Sequence, residues 1–153
     1  MNLRLRAVDE LEEAFSLLTL LDRAAKEGGR TWRDEEIPPG VARRFLERSF
    51  GRPETVVIVA EEVEEREVLA VIASGPFEDP LSLEVAPMIV LLYVQPEIRH
   101  RGVARALILE LSRCLVQRGF EALLARAGHN DDALISMAER LGMIRTFEVM
   151  SSE

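Results

Sequence analysis

The sequence predicts an α/β (α+β) fold in which a mixed central sheet is covered by helices on both faces. The first observation behind this prediction is the order of elements, which runs strand, helix, helix, three strands, helix, strand, helix and strand. The second is that no linker, repeat or low-complexity tract divides the 153 residues. We therefore expect a single domain spanning 1–153 with its own buried core.

The composition is that of a folded globular protein, with 48% hydrophobic and 30% charged residues. The formal net charge of −8 disfavours nucleic acid and anionic membranes as partners. Cys114 is the only cysteine, which excludes a disulfide framework and a Cys/His metal cluster, and we expect its thiol to pack in the core. The sequence contains no signal segment and no apolar run of roughly 20 residues, so we expect a cytoplasmic location.

The first third of the chain predicts one strand and two helices. Residues 3–8 alternate apolar with polar side chains, as a strand with one exposed face does. Apolar residues then recur at intervals of three and four, which predicts a helix over 11–28 capped by Asp9. A shorter helix is predicted over 41–50, between a proline-rich turn and a glycine.

The middle of the chain predicts three strands. Residues 55–60 and 68–73 are rich in β-branched side chains, and the acidic stretch between them indicates a hairpin connection. Residues 75–80 have the composition of a turn. A third strand is predicted over 81–94, with Pro87 at a sheet edge or a bulge.

The last third returns to alternating helices and strands. An apolar stripe predicts a helix over 103–118 that ends at a glycine. A strand over 122–127, a helix over 132–141 and a final strand over 146–150 follow.

Residues 92–107 carry the strongest functional signal, because they leave a strand, turn through a proline and enter a helix. The free N–H groups of the first helical turn and the helix dipole favour a bound phosphate there. Gly102 permits a close approach to the backbone, and Ala104 keeps a second position small. Three arginines add charge that complements a pyrophosphate: Arg99, Arg101 and Arg105. The alternative is a helix N-terminus with solvated arginines.

Arg99, Gly102 and Ala104 fit the pattern Arg/Gln-x-x-Gly-x-Gly/Ala, the acetyl-CoA motif of the GNAT superfamily of N-acetyltransferases, which the sequence resembles over nearly its whole length. Residues 130–143 resemble the second motif of that family, an Asn-x-x-Ala followed by Tyr-Glu-x-Leu-Gly-Phe. The resemblance implies a GNAT-like mixed sheet. It also implies acetyl-CoA as co-substrate, no metal, and transfer of the acetyl group to a primary amine by direct attack in a ternary complex.

The resemblance also implies roles for particular residues. The backbone of 101–105 would hold the pyrophosphate, the strand residues 92–94 would pair with the pantetheine arm, and Asn130 would contact it. A backbone N–H near Leu92 would polarise the thioester carbonyl. The full set of implied cofactor-binding residues is Leu92, Tyr93, Val94, Arg99, His100, Arg101, Gly102, Val103, Ala104, Arg105 and Asn130.

Groups that could move protons are harder to identify. Ala138 stands where many relatives have a tyrosine that can protonate the leaving thiolate. Glu84, as a partly buried carboxylate at the start of the third strand, is the first candidate for a general base, and His129 is the second, although a solvated surface residue is the better interpretation of each. Tyr93 suits packing better than catalysis, and Trp32 suits either a substrate gate or a hydrophobic anchor.

Two other classes of function remain open at this point. A non-catalytic acyl-CoA-binding or interaction module is compatible with the missing tyrosine at position 138. A nucleotide-binding protein is disfavoured, because neither a phosphate loop ending in Gly-Lys-Ser/Thr nor Gly-x-Gly-x-x-Gly occurs. An exposed sheet edge after residue 150 would make a homodimer a reasonable expectation.

Overall fold

The structure is a computed structural model that describes residues 2–28, 31, 35–129 and 131–152. Its strands are β1 (Leu3–Ala7), β2 (Val57–Glu62), β3 (Val68–Glu78), β4 (Val85–Val94) and β5 (Leu124–Ala125). Its helices are α1 (Leu11–Ser16), α2 (Leu18–Gly28), α3 (Val41–Ser49), α4 (Val103–Gln117) and α5 (Asp132–Arg140). A single 3₁₀ turn, Pro96–Ile98, separates β4 from α4.

The five strands form one mixed sheet in the order β1-β2-β3-β4-β5. The first three pairings are antiparallel and follow the chain, whereas β5 returns beside β4 in the parallel direction after the α4 crossover. A parallel neighbour needs such a crossover helix, and α4 supplies it. The predicted fold class is confirmed.

Two apolar cores lie on opposite faces of the sheet. On one face Val57, Val59 and Val71 pack against α1, α2 and α3. On the other face Ile58 and Ile72 pack against α4. Successive strand residues point to opposite faces, so two buried faces require the continuous β-branched runs that the sequence contains.

The predicted first helix is divided into two. Leu17 leaves helical geometry between α1 and α2, with φ −94° and ψ 6°. Just before it, the hydroxyl of Ser16 donates to the carbonyl oxygen of Glu13 at 2.5 Å. A serine that bonds its own preceding turn competes with the helical ladder, which gives a local reason for the break.

The predicted turn over 75–80 is wrong, because β3 continues through Glu78. The chain turns instead at 79–84, where the carboxylate of Asp79 accepts hydrogen bonds from the N–H groups of Leu81 and Ser82. Pro87 lies inside β4 opposite Pro76 rather than at the bulge. Proline has no backbone N–H to donate to the neighbouring strand. Because the two prolines lie opposite each other, the lost donors fall at one position of the pairing, which continues on either side.

The last predicted strand is also not found: residues 143–152 have no regular secondary structure. The strand predicted over 122–127 is reduced to two paired residues, Leu124 and Ala125. An alternating sequence has strand propensity, but a strand exists only where a partner accepts its hydrogen bonds.

Candidate functional site

The site begins where β4 and β5 stop pairing. The parallel contact joins Met88 to Leu124 and Ile89 to Ala125 and ends there. Within the described chain, the side of β4 that faces β5 has no strand partner from Val90 to Val94. An unpaired strand presents a row of backbone N–H and C=O groups, so this edge can hydrogen-bond an extended ligand.

A bulge lies at the start of this open edge. Ala73 pairs with Leu91 but Ser74 pairs with Ile89, which leaves Val90 as the extra residue. As a result Val90 and Leu91 both contact the core beneath α2 and α3, while Leu92 lies on the α4 face. The bulge therefore turns two consecutive side chains toward the same side of the sheet.

The open edge leads into the turn before α4. Ile98 and Val103 anchor this turn in the core, with exposures of 1% and 8%. His100 and Gly102 adopt left-handed φ values of 65° and 81°, which reverse the chain between them. Gly102 has open space around a hypothetical Cβ, so a ligand can approach its backbone closely.

The first turn of α4 is available to an anion. The first helical hydrogen bond runs from the N–H of Ala106 to the carbonyl of Gly102 at 3.0 Å, and no side chain caps the helix. The amide groups of 103–105 therefore have no partner within the helix. Together with the dipole of a 15-residue helix they make this terminus suitable for an anion.

The three arginines of the motif differ in their contacts. Arg101 and Arg105 are exposed beside the helix terminus. Arg99 donates from Nε to the carbonyl oxygen of Val94 at 2.7 Å and pairs through Nη2 with Glu27 of α2 at 2.8 Å. Its guanidinium also lies 5.5 Å from the centre of the Tyr93 ring. Arg99 thus braces the turn instead of pointing its charge toward the helix terminus.

The proton-transfer candidates are not brought together. Glu84 is exposed in the β3–β4 connection, which fits a solvated residue and not the partly buried carboxylate that a general base would need. Glu84 lies eight positions before Leu92, a span of roughly 25 Å along an extended strand, so Glu84 cannot reach a group beside Leu92 directly. Tyr93 is 5% exposed on the α2 face, and its hydroxyl lies 3.4 Å from Oε1 of Gln95. His129 is exposed.

Three further positions from the sequence analysis provide no proton donor or acceptor among the described residues. Asn130 and Trp32 lie outside the described residues. Ala138 is half-buried on α5 and has no proton to give.

Cys114 is half-buried on α4, where burial raises the pKa of its thiol, as expected for a packing residue. Among the described residues, no group of His, Cys, Asp and Glu is placed to hold a metal ion.

A cavity of about 220 Å³ lies on the α2 and α3 side of the bulge. Its described lining consists of Ala25, Ile37, Val41, Phe45, Val90, Leu91 and Arg126. Phe45 reaches over the sheet because Gly75 lies below it: a Cβ on Gly75 would be 2.7 Å from Cε2 of the ring. The sequence could not reveal this cavity, because its walls come from four separate segments of the chain.

The chain matches the model of a known family. The model described as "Acetyltransferase (GNAT) family" matches residues 15–143. The matched range includes the open edge of β4, the turn and α4. No curated protein sequence matches the chain.

Solved structures of several acetyltransferases have the same fold. A ribosomal-protein-alanine N-acetyltransferase from Brucella melitensis biovar Abortus 2308 is 16% identical with a TM-score of 0.69, covering 100% of this chain and 99% of its own. AAC(6')-Iy, solved with the bisubstrate analogue CoA-S-monomethyl-acetylneamine, is 16% identical with a TM-score of 0.70, covering 100% and 98%. Glucosamine-6-phosphate N-acetyltransferase from Arabidopsis thaliana is 19% identical with a TM-score of 0.65, covering 100% and 99%.

Proposed function

The chain belongs to the acetyltransferase (GNAT) family, and on that premise we propose that it transfers the acetyl group of acetyl-CoA to a primary amine along the edge of β4. The observation that carries the proposal is one continuous path, in which the unpaired edge from Val90 to Val94 runs directly into the uncapped start of α4. Backbone donors line both ends of that path. Its shape suits a ligand with an extended arm and an anionic end, which is the chemistry of acetyl-CoA.

The anionic end of acetyl-CoA fits the start of α4. The amides of 103–105 and the exposed side chains of His100, Arg101 and Arg105 would hold the pyrophosphate there, with Gly102 allowing its close approach. Val103 and Ala104 contribute through the backbone. Arg99 contributes indirectly, because it braces the turn through Val94.

The pantetheine arm fits the open edge of β4. Leu92 and Val94 would hydrogen-bond it through backbone groups on the open edge, while Tyr93 between them pairs with Val71 of β3, and Asn130 is the proposed contact from the other side. Acetyl-CoA supplies a thioester, an acyl group already activated for attack by an amine. The N–H near Leu92 would donate to the carbonyl oxygen of that thioester as negative charge develops on it.

The acceptor amine would enter from the side of the bulge and attack directly. Glu84 is too distant from Leu92 to take the proton itself. We therefore propose that the amine reacts as the neutral base and releases its proton to water, so that Glu84 takes no part in the transfer. On this account kcat/KM follows the ionisation of the acceptor amine and is unchanged in Glu84→Gln.

A second candidate function is that of a module that binds acyl-CoA without turnover. Ala138 favours this function, because alanine cannot give the departing thiolate the proton that a tyrosine supplies in many relatives. Turnover separates the two. The protein is incubated with acetyl-CoA and a panel of primary amines, and both free thiol and acetylated product are measured against reactions without amine. Amine-dependent product supports the transferase; tight CoA binding with no product from any amine class supports the module.

We also propose a homodimer formed through the C-terminal segment. Phe147 stacks on Phe77 with ring centres 6.0 Å apart, yet it is 63% exposed, and its neighbours Val149 and Met150 are 77% and 87% exposed. A second copy would cover this apolar surface and supply strand partners to 146–150. Sedimentation velocity should give a dimer that Phe147→Glu dissociates and Val116→Glu, on an exposed face of α4, does not. A wild-type monomer at micromolar concentration would refute it.

The remaining expectations concern partners and location. The net charge of −8 supports the absence of nucleic-acid and anionic membrane partners. Within the described chain, no helix is long and apolar enough to span a membrane. A cytoplasmic location stays a prediction.

A further inference from the structure

The connection between β3 and β4 carries exposed apolar side chains that neither core uses. We infer that this arm tip, residues 78–85, docks a cationic polypeptide segment whose own apolar side chains pack on Leu81 and Leu83. The arm tip lies within the continuously described range 35–129. The inference is independent of acetyl transfer, which is proposed for the other end of β4.

The arm tip is held at the end of a two-stranded ribbon. The pairing of β2 with β3 ends at Ala73, whereas β3 continues to Glu78 and pairs with β4 as far as Val85. On the other side of β4, β5 pairs at two residues only. Near the turn, the two strands therefore have only each other as backbone partners within the described chain.

The turn of the arm tip is fixed by hydrogen bonds. Oδ1 of Asp79 accepts from the N–H groups of Leu81 at 2.8 Å and Ser82 at 3.0 Å. The N–H of Leu83 donates to the carbonyl oxygen of Asp79, and the N–H of Asp79 donates to that of Glu84, both at 2.8 Å. A turn held in this way has little conformational entropy left to lose on binding, so it presents a preformed surface.

Leucines occupy the most exposed positions of this turn. Leu81 is 95% exposed and Leu83 is 67% exposed. Turns are usually built from Gly, Pro, Asn, Asp and Ser, each for a local conformational reason that leucine does not supply. Leu83 also has φ 62°, in the left-handed region that favours Gly or Asn over leucine. The two leucines therefore bring no benefit to the hairpin itself, which favours a contact outside the fold.

The leucines are surrounded by negative charge. The arm tip contains three carboxylates: Glu78, Asp79 and Glu84. Residues 67–98 contain no Lys, Arg or His, and no ion pair of the described chain involves any of the three carboxylates. Hydrogen bonds from backbone N–H groups of the turn lower the pKa of Asp79, which keeps it ionised at neutral pH. The arm tip therefore combines apolar contact area with uncompensated negative charge.

This charge selects the occupant. The three carboxylates would repel an anionic lipid surface or a nucleic acid. A second copy docked through the same surface would bring two sets of three carboxylates together around the leucines, which like-charge repulsion opposes. A polypeptide segment that alternates Arg or Lys with apolar residues complements both the leucines and the carboxylates.

The binding test uses three fluorescein-labelled peptides with the full chain, without acetyl-CoA. They are Ser-Arg-Leu-Arg-Leu-Arg-Ser, its analogue with serine in place of leucine, and its analogue with glutamate in place of arginine. We expect the first peptide to bind about tenfold more tightly than either analogue, as measured by fluorescence polarisation. Equal binding of the leucine and serine peptides, tightest binding of the glutamate peptide, or no binding of any peptide would overturn the inference.

An apolar variant assigns the binding to the arm tip. Leu81→Ser/Leu83→Asn removes both leucines and keeps the fold, because asparagine tolerates the left-handed conformation at position 83. It should bind the first peptide about tenfold more weakly. Leu109→Ser/Val116→Ser removes exposed apolar side chains from α4 and should bind like wild type. Undiminished binding to the arm-tip variant would contradict the inference.

A charge variant tests the carboxylates in the same assay. Glu78→Gln/Glu84→Gln should weaken binding of the first peptide about threefold or more, because it removes two charges beside the leucines. Glu64→Gln/Glu65→Gln makes the same change in net charge at the exposed β2–β3 turn and should bind like wild type. Equal weakening in both variants would mean that the peptide responds only to net charge, and the inference would fail.

Two further measurements identify the other possible occupants. Sedimentation velocity compares wild type with Leu81→Ser/Leu83→Asn, and both should have the same oligomeric state. Dissociation of a dimer by this variant would make the arm tip a contact between copies. Cosedimentation with phosphatidylcholine vesicles should be absent, and vesicle binding that this variant abolishes would assign the leucines to a lipid surface. Either result would overturn the inference.

Discussion

The Nε atom of Arg99 donates a 2.7 Å hydrogen bond to the carbonyl oxygen of Val94 and so ties the turn before α4 to the end of β4. The same side chain pairs with Glu27, 72 positions earlier in the chain. One arginine therefore joins the strand edge, the anion-binding turn and helix α2. We therefore expect Arg99 to affect cofactor binding through the shape of the turn.

Arg99→Gln should weaken CoA binding about tenfold, because the turn loses a charge-assisted hydrogen bond at the point where the backbone must be held. Glu27→Gln removes only the exposed ion pair and should raise Kd less than about threefold. Calorimetric titration with CoA measures both. Equal affinities for wild type and Arg99→Gln would show that the turn is held by Ile98 and Val103 alone.

Glu61 should control the acid stability of the fold. It is 4% exposed and accepts hydrogen bonds from Arg6 at 2.7 Å and Arg4 at 3.0 Å. The hydrogen bond from Arg6 lowers the pKa of Glu61 below its ordinary value of 4.5. A carboxyl group whose pKa is lower in the folded than in the unfolded state stabilises the fold at pH values above its unfolded pKa. The free energy of unfolding should therefore fall as the pH drops below 4.5 and through the folded value.

Urea unfolding at several pH values tests this role. Glu61→Gln should lower the free energy of unfolding at pH 7 by about 2 kcal/mol and flatten its decline in acid. Glu47→Gln, which breaks an exposed pair with Arg43, should change it by less than about 0.5 kcal/mol. If the free energy of unfolding of Glu61→Gln falls in acid as much as that of wild type, other carboxyl groups are responsible for the fall.

Gly75 and Phe45 should be energetically coupled. A methyl group at position 75 would lie 2.7 Å from the ring of Phe45, so Gly75→Ala should destabilise the protein by about 1–2 kcal/mol through overpacking. The double variant Gly75→Ala/Phe45→Leu should cost less than the sum of its single variants. Gly28→Ala, where the added atom meets nothing within 4 Å, is the control. If the stability changes of the two single variants add strictly in the double variant, the ring of Phe45 moves away from position 75 without cost.

The fold could be predicted from the sequence because its elements carry strong local signals. The two faces of β2 and β3 require continuous β-branched runs, and α4 carries a regular apolar stripe that ends at a glycine. The anion-binding turn was predictable for the same reason, since its glycine, proline and helix start are neighbours in sequence.

Features that depend on distant pairing could not be predicted. The bulge at Val90 is defined by the register of β3 on β4, and the cavity beside it draws Ile37, Phe45 and Arg126 from separate segments. The partner of Arg99 on α2 is likewise invisible in a local motif. Residues 146–150 show the reverse error, because the sequence predicted a final strand for which the described chain supplies no partner.

The central claim is that the uncapped start of α4 binds the pyrophosphate of acetyl-CoA. Gly102→Val tests it by placing a branched side chain over that terminus, at a position with φ 81°. Gly119→Val is a matched control, because Gly119 has φ 92°, open surroundings and a place at the opposite end of the same helix. Both variants carry similar backbone strain, so they should lose similar stability.

The most direct measurement is calorimetric titration of wild type, Gly102→Val and Gly119→Val with acetyl-CoA and with CoA. The account predicts that wild type and Gly119→Val bind both ligands with micromolar Kd, and that folded Gly102→Val binds neither. Undiminished binding to Gly102→Val, or no binding to wild type, would contradict the placement of the cofactor at the start of α4.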